Sequence, residues 1–224
     1  MVTNERLTAY LHSLDKDAKP FFEALRKKAE EADVPIIRRE MESFLRTLLM
    51  VHQPAHILEI GTAVGYSALF LADNAGSVKT ITTIENDPQR AGEARENIRD
   101  YLQQREEPDA PSIELLEADA VSEIGKLTDT YDLIFLDGPK AQYIVMLPQL
   151  LQLLKEGGVL LADNVLQDGD LIDSRYVTPR RQRTIHERMR EFIWAVMHRD
   201  NLESTVLTIG DGVTLSIKKG NHDR

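Results

Sequence analysis

Short apolar segments alternate with longer helical patterns along most of this chain, and that alternation restricts the fold more than any other feature. Five segments have the length and the β-branched or aliphatic content of buried strands. They are HILEI (56–60), TITTIE (80–85), SIELLEA (112–118), DLIFLD (132–137) and GVLLAD (158–163). Helical patterns lie between and after them, at 64–74, 88–104, 120–127 and 140–155. Strands that alternate with helices predict a doubly wound, parallel α/β sheet.

The last part of the chain predicts a helix over 179–200 and then a hairpin. The segments STVLTI and VTLSIK are joined by Gly210-Asp211-Gly212, which is typical of a hairpin turn. We therefore expect a seven-stranded, mostly parallel sheet that ends in an antiparallel hairpin.

Helical spacing also covers residues 4–52, with helices expected from Pro20 to Ala32 and from Arg38 to His52. These are extra N-terminal helices, outside the strand–helix alternation. Residues 1–224 are expected to form one domain, with the helices in 1–52 and the core in 56–224.

Composition excludes several classes of protein. The 224 residues are 42% hydrophobic, which suits one α/β core, and there is no cysteine for a disulfide, a thiolate nucleophile or a cysteine metal site. No segment approaches the ~20 apolar residues that cross a bilayer, and the N-terminus lacks a signal-peptide pattern. We expect a cytoplasmic protein without a membrane partner. The net charge of -10 opposes nonspecific binding to nucleic acid, although a local basic segment exists.

Polar side chains end two of the predicted strands. Asp137 closes DLIFLD, and Asp163-Asn164 follow the apolar residues of GVLLAD. Ligands of open α/β sheets bind outside the carboxyl ends of the strands. Two carboxylates and an amide oxygen there would suit a hard cation such as Mg²⁺. The alternative is that both aspartates are ordinary turn and cap residues.

The first predicted strand leads into a glycine-containing loop, LEIGTAVGYS (58–67). Glycines let the backbone turn tightly and approach a ligand, and the next helix offers N–H groups. Ala63 occupies the middle glycine position of the dinucleotide fingerprint, which disfavours NAD. Glu85 ends the second strand, where a carboxylate could accept both hydroxyls of a ribose. The alternative for Glu85 is a solvated acid at the end of a strand.

These motifs, with LEADA, LDGPK, ADNV and GDGVTLS, resemble in order and spacing the metal-dependent class I O-methyltransferases. That family includes the catechol and caffeoyl-CoA O-methyltransferases. The resemblance runs from about Ile36 to Lys218, and it implies a Rossmann-like methyltransferase fold with S-adenosylmethionine (SAM) as cofactor. It also implies a homodimer, for which the apolar N-terminal helices could supply the face.

The resemblance assigns the cofactor contacts residue by residue. Glu59 and Gly61 would lie beside the methionine part of SAM, and Ser67 near its carboxylate. Glu85 would hold the ribose. The remaining contacts would be the backbone of Ile37, the pair Asp119-Ala120 at the adenine, and Asp137.

Metal ligation and catalysis follow from the same resemblance. Asp137, Asp163 and Asn164 match the family's ligands for Mg²⁺ or Mn²⁺, and Lys140 matches its general base. A chelated cation favours acceptors with two neighbouring oxygens and stabilises the attacking oxyanion. The alternative for Lys140 is a solvated lysine in the first turn of a helix.

A basic segment follows the metal motifs. Residues 174–190, SRYVTPRRQRTIHERMR, contain six arginines and one glutamate. Arginine forks match phosphate oxygens, so the candidate contacts to an RNA backbone are Arg175, Arg180, Arg181 and Arg183. The segment also resembles the bacterial branch that methylates 5-hydroxyuridine at the tRNA wobble position. The alternatives are a solvated helix face, or an arginine cluster that serves a small catechol-type or CoA-linked phenol.

Other chemistries have less support. The six histidines show no H-x-x-x-H or H-x-H pairing for zinc, and no G-x-S-x-G elbow is present. His186 is expected to be a partly exposed helix residue. An NAD-binding oxidoreductase is disfavoured by Ala63. A noncatalytic nucleotide-binding module would not explain why Asp137, Lys140 and Asp163-Asn164 occur together.

Overall fold

The computed structural model describes residues 5–105, 110–172 and 179–220, and its elements follow the predicted alternation. The strands are β1 (His56–Ile60), β2 (Thr80–Glu85), β3 (Ser112–Glu117), β4 (Tyr131–Leu136), β5 (Leu154–Ala162), β6 (Leu202–Leu207) and β7 (Val213–Lys218). The α-helices are α1 (Glu5–His12), α2 (Pro20–Glu31), α3 (Arg39–His52), α4 (Tyr66–Asn74), α5 (Pro88–Gln104), α6 (Ala120–Glu123), α7 (Tyr143–Leu153) and α8 (Arg183–Met197). Short 3-10 helices cover Lys140–Gln142, Gln167–Ile172 and Arg180–Gln182.

Within the described residues the strands form a seven-stranded sheet in the order β3-β2-β1-β4-β5-β7-β6. β2 pairs in parallel with β1 and β3, and β4 pairs in parallel with β5. β7 is antiparallel to both β5 and β6. The predicted doubly wound, mostly parallel α/β sheet with an antiparallel hairpin is therefore confirmed.

The described chain divides into two compact units, residues 5–120 and residues 121–220. The first unit holds α1 to α5 and β1 to β3, and the second holds α7, α8 and β4 to β7. That residues 1–224 form one domain stays a prediction. No helix of the described chain is long and apolar enough to cross a membrane.

The core of the first unit surrounds α4, whose residues 66–72 are all buried. A helix that is apolar on every face must be enclosed by other elements, and α2 and α3 pack against it. Phe22 of α2 meets the rings of Tyr66 and Phe70 edge-on, with centroids 5.7 and 5.9 Å apart. The N-terminal helices are thus part of the core next to the glycine loop.

Asp87 caps the start of α5, and Pro88 is the first residue of the helix. The Asp87 carboxylate accepts hydrogen bonds from the N–H groups of Gln89 and Arg90, at 2.9 and 3.1 Å. A cap of this kind contributes about 1 kcal/mol to stability.

β5 begins at Leu154, whereas the sequence predicted a start at Gly158. The β4–β5 register shifts between the Tyr131–Leu154 and Leu133–Val159 pairs. Gly157 has a φ of 74° in this irregular part of the strand. Residues 154–157, which the sequence placed at the end of a helix and before the strand, therefore belong to β5, which has a bulge in this part.

Other bounds differ by a few residues. The helix predicted from 140 begins as a 3-10 turn, and α7 itself starts at Tyr143. The helix predicted over 179–200 is the 3-10 turn Arg180–Gln182 followed by α8. β6 covers Leu202–Leu207 rather than 204–209.

Candidate functional site

The loop between β1 and α4 is held against the end of β2 in the first unit. The N–H groups of Gly61 and Thr62 donate to the carbonyl of Ile84 at 3.0 and 3.3 Å. Gly61 and Gly65 have φ values of 100° and 87°, which favour glycine. Gly65 is the N-cap of α4 and offers no side-chain bond to its first N–H groups. The loop therefore turns tightly in front of α4, as the motif predicted.

Glu85 is the buried carboxylate at the end of β2. Its Oε2 accepts the N–H of Ala63 at 2.8 Å, and its Oε1 accepts the N–H groups of Asn86 and Asp87, both at 3.0 Å. These bonds fix the side chain between the loop and the start of α5. A carboxylate has about four acceptor sites, so capacity remains for a hydroxyl ligand.

Glu59, the fully buried acid of β1, bonds to a pair of threonines. Thr83 faces it in the β1–β2 register and donates its hydroxyl to Glu59 Oε2. The Thr83 hydroxyl also lies 2.5 Å from that of Thr62 in the loop. Sequence reasoning missed both threonines, although counting the strand register from Glu59 would have found Thr83.

A second buried network joins the N-terminal helices to α4. The Arg26 guanidinium donates to the carbonyl of Ile37 at 3.0 Å, to the Glu42 carboxylate, and to the Tyr66 hydroxyl at 3.3 Å. Burial and the neighbouring Glu42 raise the pKa of Tyr66, so its hydroxyl stays protonated and donates to Glu42. Ile37, a predicted cofactor contact, is thus tied to the helix that follows the glycine loop.

The other predicted cofactor contacts of this unit lie in or just before the first turns of α4 and α6. Ser67 is buried in the first turn of α4. Asp119 is exposed just before α6, and Ala120 is the first residue of that helix. The N–H of Ala118 donates to the carbonyl of Glu85 at 2.9 Å, so the segment leading to Asp119 begins beside Glu85.

In the second unit Asp137 follows β4 and Asp163 follows β5. The last residues of the two strands, Leu136 and Ala162, are register partners. The N–H of Asp163 donates to the carbonyl of Leu136 at 2.9 Å. Adjacent parallel strands therefore bring the two aspartates together, as the strand-end pattern predicted.

Asn164 connects the two carboxylates. Its amide Nδ2 donates to Asp137 Oδ1 at 2.9 Å, and its backbone N–H donates to Asp163 Oδ1 at 2.7 Å. Its φ of 59° lies in the left-handed region, which asparagine tolerates better than most residues. The amide also carries the carbonyl oxygen that a hard cation would bind.

The electrostatics of this cluster are unfavourable for two negative charges. Burial raises the pKa of Asp163 to about 8, and the charges of Asp137 and Asp211 act in the same direction. Burial also raises the pKa of Asp137, whereas the Asn164 bond and the positive charge of Lys140 lower it. A divalent cation would favour the charged form of both carboxylates and so offset the effect of burial and of the Asp137–Asp163 repulsion.

The donor set fits a hard cation. Asp137 and Asp163 supply carboxylate oxygens and Asn164 an amide oxygen, which are the ligands of Mg²⁺ and Mn²⁺ sites. Such sites use few protein ligands and leave positions for water or substrate. Among residues 5–105, 110–172 and 179–220 no group of three or more His, Asp or Glu residues offers an alternative metal site.

Lys140 lies within electrostatic range of both aspartates, because its charge acts on the pKa of each. It is the first residue of the 3-10 turn that follows Pro139, and its side chain is half-buried. The structure therefore places the predicted base beside the predicted metal ligands.

Tyr143 and Asp211 also belong to this cluster, and sequence reasoning missed both. Tyr143 is fully buried, and its single hydroxyl proton is shared between the carbonyls of Leu136 and Asp163. Burial, and then the charges of Asp137 and Asp163, raise the pKa of Tyr143, so its hydroxyl keeps the proton that it donates. Asp211 comes from the β6–β7 turn, and only tertiary packing brings it near Asp163.

The arginines of the basic segment have two kinds of surroundings. Arg180 and Arg181 are exposed in a 3-10 turn, and Arg183 is half-buried at the start of α8. Arg175 lies outside the described residues. The other two arginines bond to backbone carbonyls: Arg188 to Ala141 at 3.0 Å and Arg190 to Leu171 at 2.8 Å.

α8 also packs against the 3-10 turn Lys140–Gln142. The helix that begins at Arg183 is thus a neighbour of the segment that carries Lys140.

The expectation that His186 is partly exposed was wrong. It is 3% exposed, and its Nε2 lies 3.1 Å from the carbonyl of Asp170. The 3-10 segment Gln167–Ile172 packs on this face of α8, and the helical pattern alone did not reveal that cover.

Comparisons with known proteins agree with this arrangement. A family model described as O-methyltransferase matches residues 12–219. The tapetum-specific methyltransferase 1 of Arabidopsis thaliana is 30% identical over 189 residues, which cover 83% of this chain and 77% of that protein. A catechol O-methyltransferase of Niastella koreensis is 30% identical over 156 residues, covering 66% and 67% of the two chains.

Solved structures share the fold. The SAH-bound methyltransferase PaMTH1 of Podospora anserina superposes with a TM-score of 0.81 at 25% identity, and the match covers 97% of both chains. The agreement extends over nearly the whole length, so it includes the N-terminal helices and the C-terminal hairpin.

Proposed function

Because this chain belongs to the O-methyltransferase family, we propose that it transfers the methyl group of SAM to a hydroxyl oxygen with the help of a divalent cation. The observation that carries the proposal is the cluster of Asp137, Asp163 and Asn164 with Lys140 beside it. A turn-and-cap explanation accounts for one strand-end aspartate. It does not account for a buried and a half-buried carboxylate that are joined by one asparagine.

We propose that the first unit binds the cofactor. SAM supplies an electrophilic methyl group on a sulfonium. Glu85, fixed by its three backbone N–H donors, would accept the ribose hydroxyls, and Gly61 allows the methionine part to approach the loop. Ser67 would bond to the cofactor carboxylate at the start of α4, where the helix dipole favours a negative group. Glu59, Ile37, Asp119 and Ala120 would complete the contacts.

The second unit is proposed to bind the acceptor. Mg²⁺ or Mn²⁺ on Asp137, Asp163 and Asn164 would supply Lewis acidity at the acceptor oxygens. Lys140 would take the proton of the attacking hydroxyl. A base must lie within hydrogen-bond reach of that proton, and the effect of the Lys140 charge on the pKa of both aspartates supports this role. Asp137 is also proposed to contact the cofactor.

We propose 5-hydroxyuridine at the wobble position of tRNA as the leading acceptor, giving 5-methoxyuridine. Its 5-hydroxyl neighbours the 4-carbonyl, so the base offers two adjacent oxygens to one cation. Arg180 and Arg181 are exposed and precede the helix that packs against the Lys140 turn, a placement that would let them bind the RNA backbone. A single-stranded anticodon base is splayed out without opening a duplex.

A small catechol-type or CoA-linked phenol is the second candidate. It is favoured by the relatives, which include catechol O-methyltransferases and, at 29% identity over 183 residues, a caffeoyl-CoA O-methyltransferase of Populus trichocarpa. The same arginines could then bind the phosphates of CoA.

Paired activity assays test the proposal. Hydroxyuridine-containing tRNA and a catechol are each offered with SAM, with and without EDTA. We expect methylation of tRNA that EDTA abolishes. Methylation of catechol alone would establish the second candidate, and full activity in EDTA would contradict the role of the cation.

The basic segment has its own test. Replacing Arg180, Arg181 and Arg183 with Ala should abolish tRNA methylation and leave SAM affinity within about twofold, since none of these arginines is a proposed cofactor contact. The control replaces three exposed cations elsewhere, Lys27, Arg99 and Arg199, which removes the same net charge. Equal losses in both variants would show that only net charge matters.

The homodimer is also a proposal. α1 and the turn that follows it expose Leu7, Tyr10, Leu11 and Leu14, with Tyr10 60% and Leu14 63% exposed. These residues would bury apolar area in a dimer. Light scattering of the wild type and of a Leu14→Ser variant tests it, and a wild-type monomer would contradict it.

A further inference from the structure

Tyr143 is a buried hydroxyl that the proposed chemistry does not use. Its oxygen lies 3.2 Å from the carbonyl of Leu136 and 3.3 Å from the carbonyl of Asp163. The backbone N–H of Gly138 is also near enough to this oxygen to lower the pKa of the Tyr143 hydroxyl. One hydroxyl thus contacts the backbone on both sides of Asp137 and the backbone of Asp163 itself.

The position of this hydroxyl is fixed by the packing of its ring. Tyr143 and Phe192 meet edge-on with centroids 5.4 Å apart, and both side chains are fully buried. Edge-to-face aromatic pairs of this kind contribute about 0.5–1.5 kcal/mol beyond area burial. A phenylalanine would pack equally well, so the packing does not explain the hydroxyl.

The Tyr143 hydroxyl contacts the backbone at and just beyond the last paired residues of β4 and β5. The register pairs of β4 and β5 stop at Leu136–Ala162, and the last backbone bond runs from Asp163 N–H to Leu136 O. The proposed ligands start at the next residues. Beyond the ladder, the bonds of the Tyr143 hydroxyl hold the two backbones at a fixed separation.

We infer that Tyr143 is a positioning residue for cation binding, which sets the spacing of the Asp137 and Asp163 carboxylates through its backbone contacts. The inference rests on the proposed function, in which these aspartates bind the cation. Tyr143 touches neither the acceptor nor the cofactor in this scheme. A substitution of Tyr143 should therefore lower the affinity for the metal, and it should lower the rate of catalysis only because less metal is bound.

Tyr143→Phe tests this role, because it removes one oxygen and keeps the ring. We expect the Kd for Mn²⁺, measured by calorimetry on the full chain without acceptor, to rise about tenfold, as is common when a group that orients metal ligands is lost. SAM affinity should stay within about twofold. Raising the Mn²⁺ concentration should restore most of the activity.

Two controls separate positioning from stability. Tyr101→Phe removes another buried hydroxyl, which bonds to Asp73 and Arg105 in the first unit, and it should leave the Mn²⁺ Kd unchanged. Phe192→Leu loosens the ring contact and keeps the Tyr143 hydroxyl. If Phe192→Leu raises the Kd as much as Tyr143→Phe does, packing explains the effect and the inference is overturned.

The outcomes also separate this inference from the proposed function. If the wild type binds Mn²⁺ and Tyr143→Phe binds it equally well, the positioning role is wrong and the metal site stands. If the wild type does not bind Mn²⁺ in the presence or absence of SAM, both are wrong. Circular dichroism and the thermal midpoint of each variant establish that it is folded.

Discussion

The two units place acidic side chains at the ends of their strands in opposite electrostatic surroundings. In the first unit, Glu85 accepts three backbone N–H groups and is fully oriented by them. In the second, Asp137 and Asp163 share the donors of one asparagine and face each other. In both units acidic residues lie at the carboxyl ends of the strands, but their surroundings differ, so the two units form different sites.

The difference indicates what each site binds. A carboxylate that is already solvated by N–H donors stays an acceptor, and it suits neutral hydroxyl ligands such as those of a ribose. In the second unit burial raises the pKa of both aspartates, and the charge of Asp137 raises the pKa of Asp163 further, so the doubly charged pair is destabilised. That cost is relieved when a cation binds, so the second unit is suited to a metal and the first is not.

The largest expected effect comes from removing one of the facing charges. Asp163→Asn keeps the size of the side chain and should weaken Mn²⁺ binding and methyl transfer by more than about a hundredfold, since even outer-shell partners cost about 10–100-fold. SAM affinity should change by less than about twofold. Calorimetry with each ligand measures both.

The matched control is Asp129→Asn, an exposed aspartate of the same unit, which should behave like the wild type. Retention of Mn²⁺ affinity in Asp163→Asn would contradict the difference between the two units.

The converse change is Glu85→Gln in the first unit. An amide cannot accept all three N–H groups, and a hydrogen bond to a charged group is worth about 1.5–3 kcal/mol. We expect SAM affinity to fall about 10–100-fold while the Mn²⁺ Kd stays the same. The control is Glu117→Gln, the exposed register partner of Glu85 on β3.

If Glu85→Gln weakens Mn²⁺ and SAM alike, the assignment of one ligand to each unit is wrong.

The pH dependence sharpens the comparison further. Asp163 must lose its proton to bind a cation, and its pKa is about 8 in the metal-free protein. Mn²⁺ affinity should therefore rise with pH, by up to about tenfold per unit between pH 6 and 8. Calorimetry across that range measures the slope, and Asp163→Asn should reduce it.

Stability in EDTA should change in the opposite direction. The ordinary pKa of an aspartate is 3.8 and that of folded Asp163 is about 8, so the folded state holds this proton more tightly than the unfolded chain. The associated stability is fully present below pH 4 and is lost as the pH rises through 8. The thermal midpoint should fall over this range in the wild type and fall less in Asp163→Asn; equal slopes would contradict the assignment.

The sequence predicted the parts of both sites that depend on strand ends. β1 to β4 were located within two residues of their observed bounds, because buried parallel strands are continuous apolar runs. Glu85, Asp137 and Asp163 follow from where those runs stop. Asn164 and Lys140 are close to them in sequence, so the motifs included these residues as well.

The parts that were missed depend on contacts between distant segments. The residues that follow Tyr143 in the sequence are apolar, as in many buried helices, so they do not indicate a role for its hydroxyl. Its packing on Phe192 directs the hydroxyl to the ends of the strands. Asp211 lies in a hairpin turn, where aspartate is common for local reasons. The predicted start of β5 was wrong because the helical pattern was extended to residue 155, whereas the strand begins at Leu154 and continues through a bulge.

The smallest expected effect tests how the β6–β7 turn supports the second unit. The N–H groups of Val165 and Leu166 donate to the carbonyls of Gly212 and Asp211 at 2.9 and 2.8 Å, directly after Asn164. Gly212 has a φ of 85°, and a Cβ added there would lie 2.2 Å from Leu166 Cγ and 2.6 Å from its Cβ. Gly212→Ala must therefore push the segment after Asn164 away from the turn.

We expect Gly212→Ala to cost about 1–3 kcal/mol of stability, as overpacking does, and to raise the Mn²⁺ Kd about threefold to tenfold, with SAM affinity unchanged. Gly169→Ala is the matched control, because Gly169 has a φ of 96° and nothing within 4 Å of an added Cβ. It carries the backbone strain without the clash. If both variants lose the same Mn²⁺ affinity, strain alone is responsible and the turn does not hold Asn164 in place; a loss confined to Gly212→Ala shows that the metal-binding unit depends on its hairpin.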